Sequence, residues 1–469
     1  MAQPKIDVAK HDRSTRETLT DKVPQARIYR VWNVAEYGQR DVDRLQLLAQ
    51  VLGGSKSSRL DTRLVHRDKL VDSVSAQVSQ SQLGSNFIIT ADVKQGVNPA
   101  KVEAIIGEEV TRLLAGGPTA VETEQARTVF KAGVIRGIER IGGFGGKADA
   151  LAECTIYTGN PGCFRDSLKT FDTATAAELQ AAGKQWLATG DHTLVVVPGD
   201  RKQIAEDPAV TPAPLTLPVV DPNFKTVASD VDRSKGVPGV EQFPDLKFPS
   251  VQRATLSNGT RVILAERHDV PVVQMNMLFG GGYASDVGAR LGTASFSMGM
   301  LDEGAGDLDA LAFGNRAESL GANVGASASL DGGSAYLSAL KEKIEPSLTL
   351  YAQMLRQPRF DQNEIDRVKA QWIAGIAQEK ARPNGAALRV MPPLLYGAGH
   401  PYAIPFSGTG TESSIASLTR DELVAYHDKY VRPENATLVV VGDTTLQELT
   451  PRLERAFAGW KGTGAASTA

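Results

Sequence analysis

Six histidines and two cysteines are the softest metal ligands of this 469-residue chain, and their spacing limits what they can do. His11, His66, His192, His268, His400 and His427 include no pair at i and i+4. A catalytic zinc takes about three protein ligands and keeps one position open. Cys154 and Cys163 flank Tyr157-Thr-Gly-Asn-Pro-Gly162, a turn-forming stretch that could bring them together. Two readings stand side by side: a disulfide, which implies an oxidising compartment, or two thiols, one on a helix and one in a loop. The cluster Gly142-Gly-Phe-Gly-Gly146 invites a phosphate-loop reading. No strand precedes it and no Lys-Ser/Thr pair ends it, so a hinge or helix break fits better. His400-Pro401-Tyr402 could line a chamber, although a rigid turn packed on the core explains it more simply. His66, beside Arg63 and Arg67, reads as part of a solvated helix face. Met275, Met277 and Phe279 have strand spacing and read as core.

The elements that must carry these residues fall into two blocks. Between them runs a stretch punctuated by Pro208, Pro212, Pro214, Pro218, Pro222, Pro238, Pro244 and Pro249. Each proline removes a donor and fixes φ, so no helix or central strand runs through. Before this linker stand Thr175-x-x-Glu178 and, after a helical run, Thr193-Leu-Val-Val-Val197 with Gly199-Asp200. After it stand Thr419-x-x-Glu422 and Thr437-Leu-Val-Val-Val441 with Gly442-Asp443. From 175 to 419 and from 193 to 437 the offset is 244 residues both times. Thr-x-x-Glu is a capping box, and a Val-rich run of this length is a buried strand. Two such pairs in fixed register suggest an internal duplication.

Within the first block, Asp41 to Leu52 is an amphipathic helix stopped by Gly53-Gly54. Ser73 to Ser79 and Phe87 to Val93 are strands, and Asn98-Pro99 caps and opens a further helix. A helical region then runs from Glu122 to about Tyr157, broken at the glycine cluster. In the second block Ala254 to Leu264 is a hairpin turned by Asn258-Gly259. Val272 to Phe279 is a strand, Arg290 to Leu301 a helix, and two strands flank Asp331-Gly332-Gly333. Helices follow near 343–356, 362–380 and 386–396. Each block reads as α+β: a mainly antiparallel sheet covered by helices. The boundaries expected are a solvated lead-in at 1–23, blocks at 24–205 and 251–460, the linker at 206–250, and a tail at 461–469.

Bulk composition excludes some function classes. Net charge is −3 with 42% hydrophobic residues, and no Lys/Arg stripe marks a nucleic-acid surface. No apolar run is long enough to span a bilayer. Met1 to Val23 is polar and charged, which is not the pattern of a secretory signal. A periplasmic location would need a signal on a longer parent product.

Residues 251–460 resemble the pitrilysin/insulinase-type zinc peptidases (inverzincins), which include the mitochondrial processing peptidases. The matching stretches are Leu256-Ser-Asn-Gly259, Val270-Pro271, Phe279-Gly-Gly-Gly282, Glu318-Ser-Leu-Gly-Ala322, Pro358-x-Phe360, Leu395-Tyr-Gly397 with His400-Pro-Tyr402, and Arg432-Pro-x-Asn-Ala436 running into Val441-Gly-Asp443. Residues 24–205 resemble the family's other subdomain type through Leu52-Gly-Gly-x-x-Ser-Ser-Arg-Leu60. Family chains consist of two halves, each of two similar α+β subdomains. The resemblance implies the second subdomain of a first half, a linker, and the first subdomain of a second half.

The family's metal helix reads His-x-x-Glu-His, with two histidines on zinc and the glutamate as general base; a later helix supplies a third ligand. By alignment the histidines fall on Ser295 and Gly299, the base on Met298, and the later glutamate on Gly375. None of these residues can do the job. Glu379 lies near the third-ligand position and reads as a solvated helix charge. The Arg and Tyr by which the family's last subdomain holds substrate fall, in the first block, on Val65 and Asp72. The resemblance therefore implies a non-catalytic portion of a peptide-cleaving enzyme. This chain would hold no cofactor of its own and form chamber wall and hinge around a peptide. Its partner would be a zinc-bearing half, in cis or in trans. The alternative is an inactive structural or interaction subunit of a larger complex. A zinc enzyme with unrecognised ligands is the least favoured.

Overall fold

Strand and helix signals on both sides of the linker produce two similar α+β units. The computed structural model describes residues 7–201, 222–225, 230, 232–234, 236, 245 and 247–462. The first unit carries β1 (Thr15–Asp21), β2 (Arg27–Val34), β3 (Val71–Ser79), β4 (Ser85–Val93) and β5 (His192–Pro198), in the sheet order β1-β5-β2-β4-β3. The second carries β6 (Val251–Thr255), β7 (Arg261–Glu266), β8 (Val272–Gly280), the short pair β9 (Gly304–Ala305) and β10 (Leu308–Asp309), then β11 (Asn323–Ala328), β12 (Gly332–Leu340) and β13 (Thr437–Gly442). Its main sheet runs β11-β12-β8-β13-β7-β6. Without β6 the two orders are the same. In each, the last strand lies between a parallel and an antiparallel neighbour: β1 and β2 for β5, β7 and β8 for β13. The other ladders are antiparallel.

The repeated helix start forms twice, as the spacing requires. The Glu178 amide donates to Thr175 Oγ1 at 3.3 Å, and the Thr175 amide to Glu178 Oε2 at 2.9 Å. The Glu422 amide donates to Thr419 Oγ1 at 3.3 Å, and the Thr419 amide to Glu422 Oε2 at 2.7 Å. Each exchange satisfies two amides that a helix start leaves without partners. Asn98 caps the Pro99–Gly116 helix through the Ala100 amide. The Arg40–Gly53 helix packs on β3 so closely that a Cβ at Gly53 would lie 2.7 Å from the Ala76 amide nitrogen. Each sheet buries one large apolar core, with Trp32 and Phe87 in the first and Phe296, Tyr351 and Phe457 in the second. Met275, Met277 and Phe279 belong to the latter.

Several expectations need correction. Residues 15–21, placed in a solvated lead-in, form β1 and pair in parallel with β5 from Thr15↔His192 onward. The strand lies at a sheet edge and stays mostly exposed, so it lacks the apolar alternation that marks a half-buried strand. The helix expected over 290–301 spans only Thr293–Gly299. His66 is not on a solvated face: its side chain is buried, with Nε2 3.3 Å from Asp61 Oδ1. The linker expected at 206–250 lies largely outside the described residues, as does most of the 461–469 tail. Cys154 and Cys163 are joined, with their Cα atoms 5.4 Å apart.

The units dock through apolar and charged contacts. Ala132, on the Ala120–Gly137 helix, joins Val270, Val272 and Leu340 of the second unit in a small apolar cluster. Arg136 on the same helix donates to Ser338 Oγ at 2.9 Å and to the Gly321 carbonyl. Lys56 Nζ of the first unit reaches Glu303 Oε1 at 2.8 Å and Asp302 Oδ2 at 3.1 Å. Glu303 Oε2 takes Arg367 Nη2 at 2.6 Å, and that guanidinium is only 4% exposed. Burial opposes the charge on Glu303, but Lys56 and Arg367 outweigh it and hold its carboxyl below the usual range. Glu303→Ala takes the shared carboxylate from two cations. We expect a loss of about 3 kcal/mol in urea unfolding, the scale for stripping a buried charge of its partner. A loss below about 1 kcal/mol, typical of an exposed pair, would show that this network does not bear on stability.

Candidate functional site

The Thr293–Gly299 helix is short because glycine ends it on both sides. Gly292 begins it at φ +93°, a conformation open to glycine. Two of its free amides are satisfied from upstream: Asp286 Oδ2 accepts from Gly292 at 2.8 Å and Oδ1 from Ala294 at 3.1 Å. Asp286 is 2% exposed. Burial pushes its carboxyl up to about 6, against the pull of the Ala294, Gly292 and Thr293 amides. Sequence reading missed this group, because it lies seven residues before the helix, outside the local capping window. Ser297 Oγ anchors the other flank by donating to the Leu423 carbonyl at 3.0 Å.

This helix faces the Gln362–Lys380 helix across an aromatic contact, Phe296 to Trp372, with centroids 5.3 Å apart. A Cβ at Gly299 would lie 3.5 Å from the Trp372 ring. Trp372 is itself fixed by a hydrogen bond from Nε1 to the Thr409 carbonyl at 3.0 Å. Ser295 sits half-buried near Gly408, and Gly375, farther along the second helix, is exposed with open space where a Cβ would stand. Met298 points elsewhere: it is buried in the core, with its methyl beneath Gly333 of β12. All four aligned positions thus lie on two facing helices, with the Met298 side chain turned into the core.

The chemistry of this set does not fit zinc. It offers one neutral hydroxyl, one thioether and two side chains of hydrogen alone, where a site needs imidazole, carboxylate or thiolate. Among the described residues, no three His, Cys, Asp or Glu side chains converge as ligands. Glu379 is not the solvated charge expected. It is half-buried, accepts from Thr409 Oγ1 at 2.8 Å and pairs with Arg389 Nη1 at 3.3 Å. Of the other candidates, Val65 is buried and the Asp72 carboxylate accepts from Gln25 at 3.1 Å. His400 stacks on Tyr396, with ring centroids 5.0 Å apart, and Tyr402 donates to Asp331 at 2.6 Å. His400 is exposed, so this turn is not packed on the core.

Residues 2–130 and 417–468 match a family model described as the peptidase M16 inactive domain. Residues 261–390 match one described as insulinase, peptidase family M16. The chain is 28% identical over 197 residues to the non-peptidase homolog YmxG of Helicobacter pylori, covering 42% of this chain and 45% of that one. It is 24% identical over 217 residues to an uncharacterized zinc protease YmxG of Bacillus subtilis, covering 46% and 52%. The chain spans about half the length of the relatives it matches. Among solved structures, it is similar to a peptidase M16 inactive domain from Pseudomonas fluorescens, at 29% identity and TM-score 0.44, over 47% of this chain and 53% of that one. It is also similar to a mutant of the ferredoxin protease FusC in complex with Arabidopsis ferredoxin, at 17% identity and TM-score 0.46, over 100% of this chain and 54% of that one.

The buried Asp286 generates a pH test. Its folded pKa, about 6, lies above the ordinary aspartate value of 3.8. The stability it contributes is therefore fully present below pH 3.8 and lost as pH rises through 6. Asp286→Asn removes that titration. Between pH 7 and pH 4, the wild type should gain about 2 kcal/mol relative to the variant, at roughly 1.4 kcal/mol for each tenfold difference in proton affinity between the folded and unfolded chain. Parallel urea-unfolding profiles for the two proteins would refute the assignment.

Proposed function

Because this chain belongs to the insulinase (peptidase M16) family, we propose that it supplies wall and hinge to a peptide-enclosing chamber and leaves the zinc chemistry to a metal-bearing half, in cis or in trans. The supporting observation is the set Ser295, Met298, Gly299 and Gly375, which holds no zinc ligand and no base. Metal-assisted peptide hydrolysis needs zinc to bring the pKa of water toward neutrality and a carboxylate to take the proton. Closure of two halves around a substrate would complete such a site. In this reading, 24–205 is the second subdomain of a first half, 251–460 is the first subdomain of a second half, and 206–250 is the linker. Peptide is the substrate class of the assembled enzyme.

The Cys154–Cys163 disulfide supports an oxidising compartment, such as the periplasm. A second reading, an inactive interaction subunit, draws support from the non-peptidase name of the Helicobacter pylori relative.

Two measurements test the main reading. Elemental analysis of the purified chain should find no stoichiometric zinc. A quenched-peptide assay should show no turnover by the chain alone, and chelator-sensitive turnover once a His-x-x-Glu-His half is co-expressed. Chelator-sensitive cleavage without that half would overturn the proposal. Absence of cleavage in both conditions would favour the interaction subunit.

A further inference from the structure

The helices of the first unit line an open pocket of about 460 Å³, remote in sequence from the aligned metal positions. Its floor is the Ala120–Gly137 helix, with Val129, Phe130 and Val134 along it. Gly133 opens that floor, since a Cβ there would meet nothing within 4 Å. Phe164 and Phe171 of the Phe164–Thr173 helix form a second apolar wall. The Lys147–Thr158 helix borders the cavity through Ala150, and its one buried residue is Cys154. The disulfide from Cys154 to Cys163 ties that helix to the start of the next. Tyr37, which also lines the space, has its hydroxyl 3.8 Å from Cys154 Sγ and 3.9 Å from Cys163 Sγ. One side of the pocket is thus held covalently, as suits a preformed ligand site.

The polar part of the lining is a buried carboxylate. Asp43, on the Arg40–Gly53 helix, is 4% exposed and lines the cavity together with Gln46, Gln50 and Ser167. Its hydrogen bond from Gln46 Nε2 is long, at 3.5 Å. Burial pushes its carboxyl up to about 6, although Ser167 and Arg44 favour the charge. The guanidinium of Arg44 is committed to Asp41 at 3.0 Å and Glu178 at 2.7 Å. The lining contains this one acid and no Lys, Arg or His. A carboxylate held out of water beside apolar walls is costly unless a cation or donor meets it.

We propose that this cavity is a binding site for a small amphipathic amine, whose ammonium pairs with Asp43 while its apolar body lies along Phe130, Val134, Phe164 and Phe171. An alkyl carboxylate of the same length would set two like charges together. An alcohol would keep the apolar contact and lose the ion pair.

The test is calorimetric titration of the full chain with octylamine, octanol and octanoate at neutral pH. Octylamine should bind at least about tenfold more tightly than octanol, and octanoate most weakly. Asp43→Asn should abolish the preference for the amine and spare octanol. Gly133→Leu, which projects into open space and should leave folding intact, should remove binding of both by filling the cavity. If Asp43→Asn does not fold, the ligand ranking and the Gly133→Leu arm still decide. Equal affinity for octylamine and octanoate, amine binding that survives Gly133→Leu, or no binding by any of the three overturns the proposal.

Discussion

In each unit the last strand lies between two earlier ones. β5 lies between β1 and β2, and β13 stands in the same relation to β7 and β8. The pairing joins Thr15 to His192 and Arg261 to Thr437 across most of each unit. Such contacts are entropically expensive, because a long loop must close before the ladder rewards it. What makes the insertion favourable is burial: Leu438 and Val440 are fully enclosed, and Val195 nearly so. The capped helices that precede both strands, starting at Thr175 and Thr419, aim the chain at that slot.

The closed sheets then fix where polar groups can sit. Two kinds of buried carboxylate result. Glu303 lies between Arg367 and Lys56, so its charge is compensated and joins the two units. Asp286 and Asp43 form no such ion pair, and burial raises the pKa of both. Asp286 offsets part of that cost with backbone amides at a helix start, which makes it structural. Asp43 faces open space instead. The difference lies in what each carboxylate faces, since all three residues are nearly equally buried.

The helices at 293–299 and 362–380 face each other through packing contacts. Phe296 against Trp372 is an apolar contact, and Met298 fills the space under β12. Both contacts are apolar packing within the core.

The chain's local patterns determined much of this by themselves. Capping boxes, the Asn258-Gly259 turn and the alternation in 73–79 act over a few residues, so they are written plainly, and the offset of 244 appears once the two capped helix starts are compared. The fold class follows from the same patterns. Only the tertiary structure decided the rest. β1 is a polar edge strand with no signature of its own until β5 arrives beside it. Glu379 looks solvated until Arg389 and Thr409 fold over it, and His66 looks exposed until its helix packs. The spacing of Cys154 and Cys163 allowed a bond or two thiols, and folding set their Cα atoms 5.4 Å apart. Partners separated by tens or hundreds of residues leave no local pattern, because what pairs them is the three-dimensional closure of the sheet and not the chain between them.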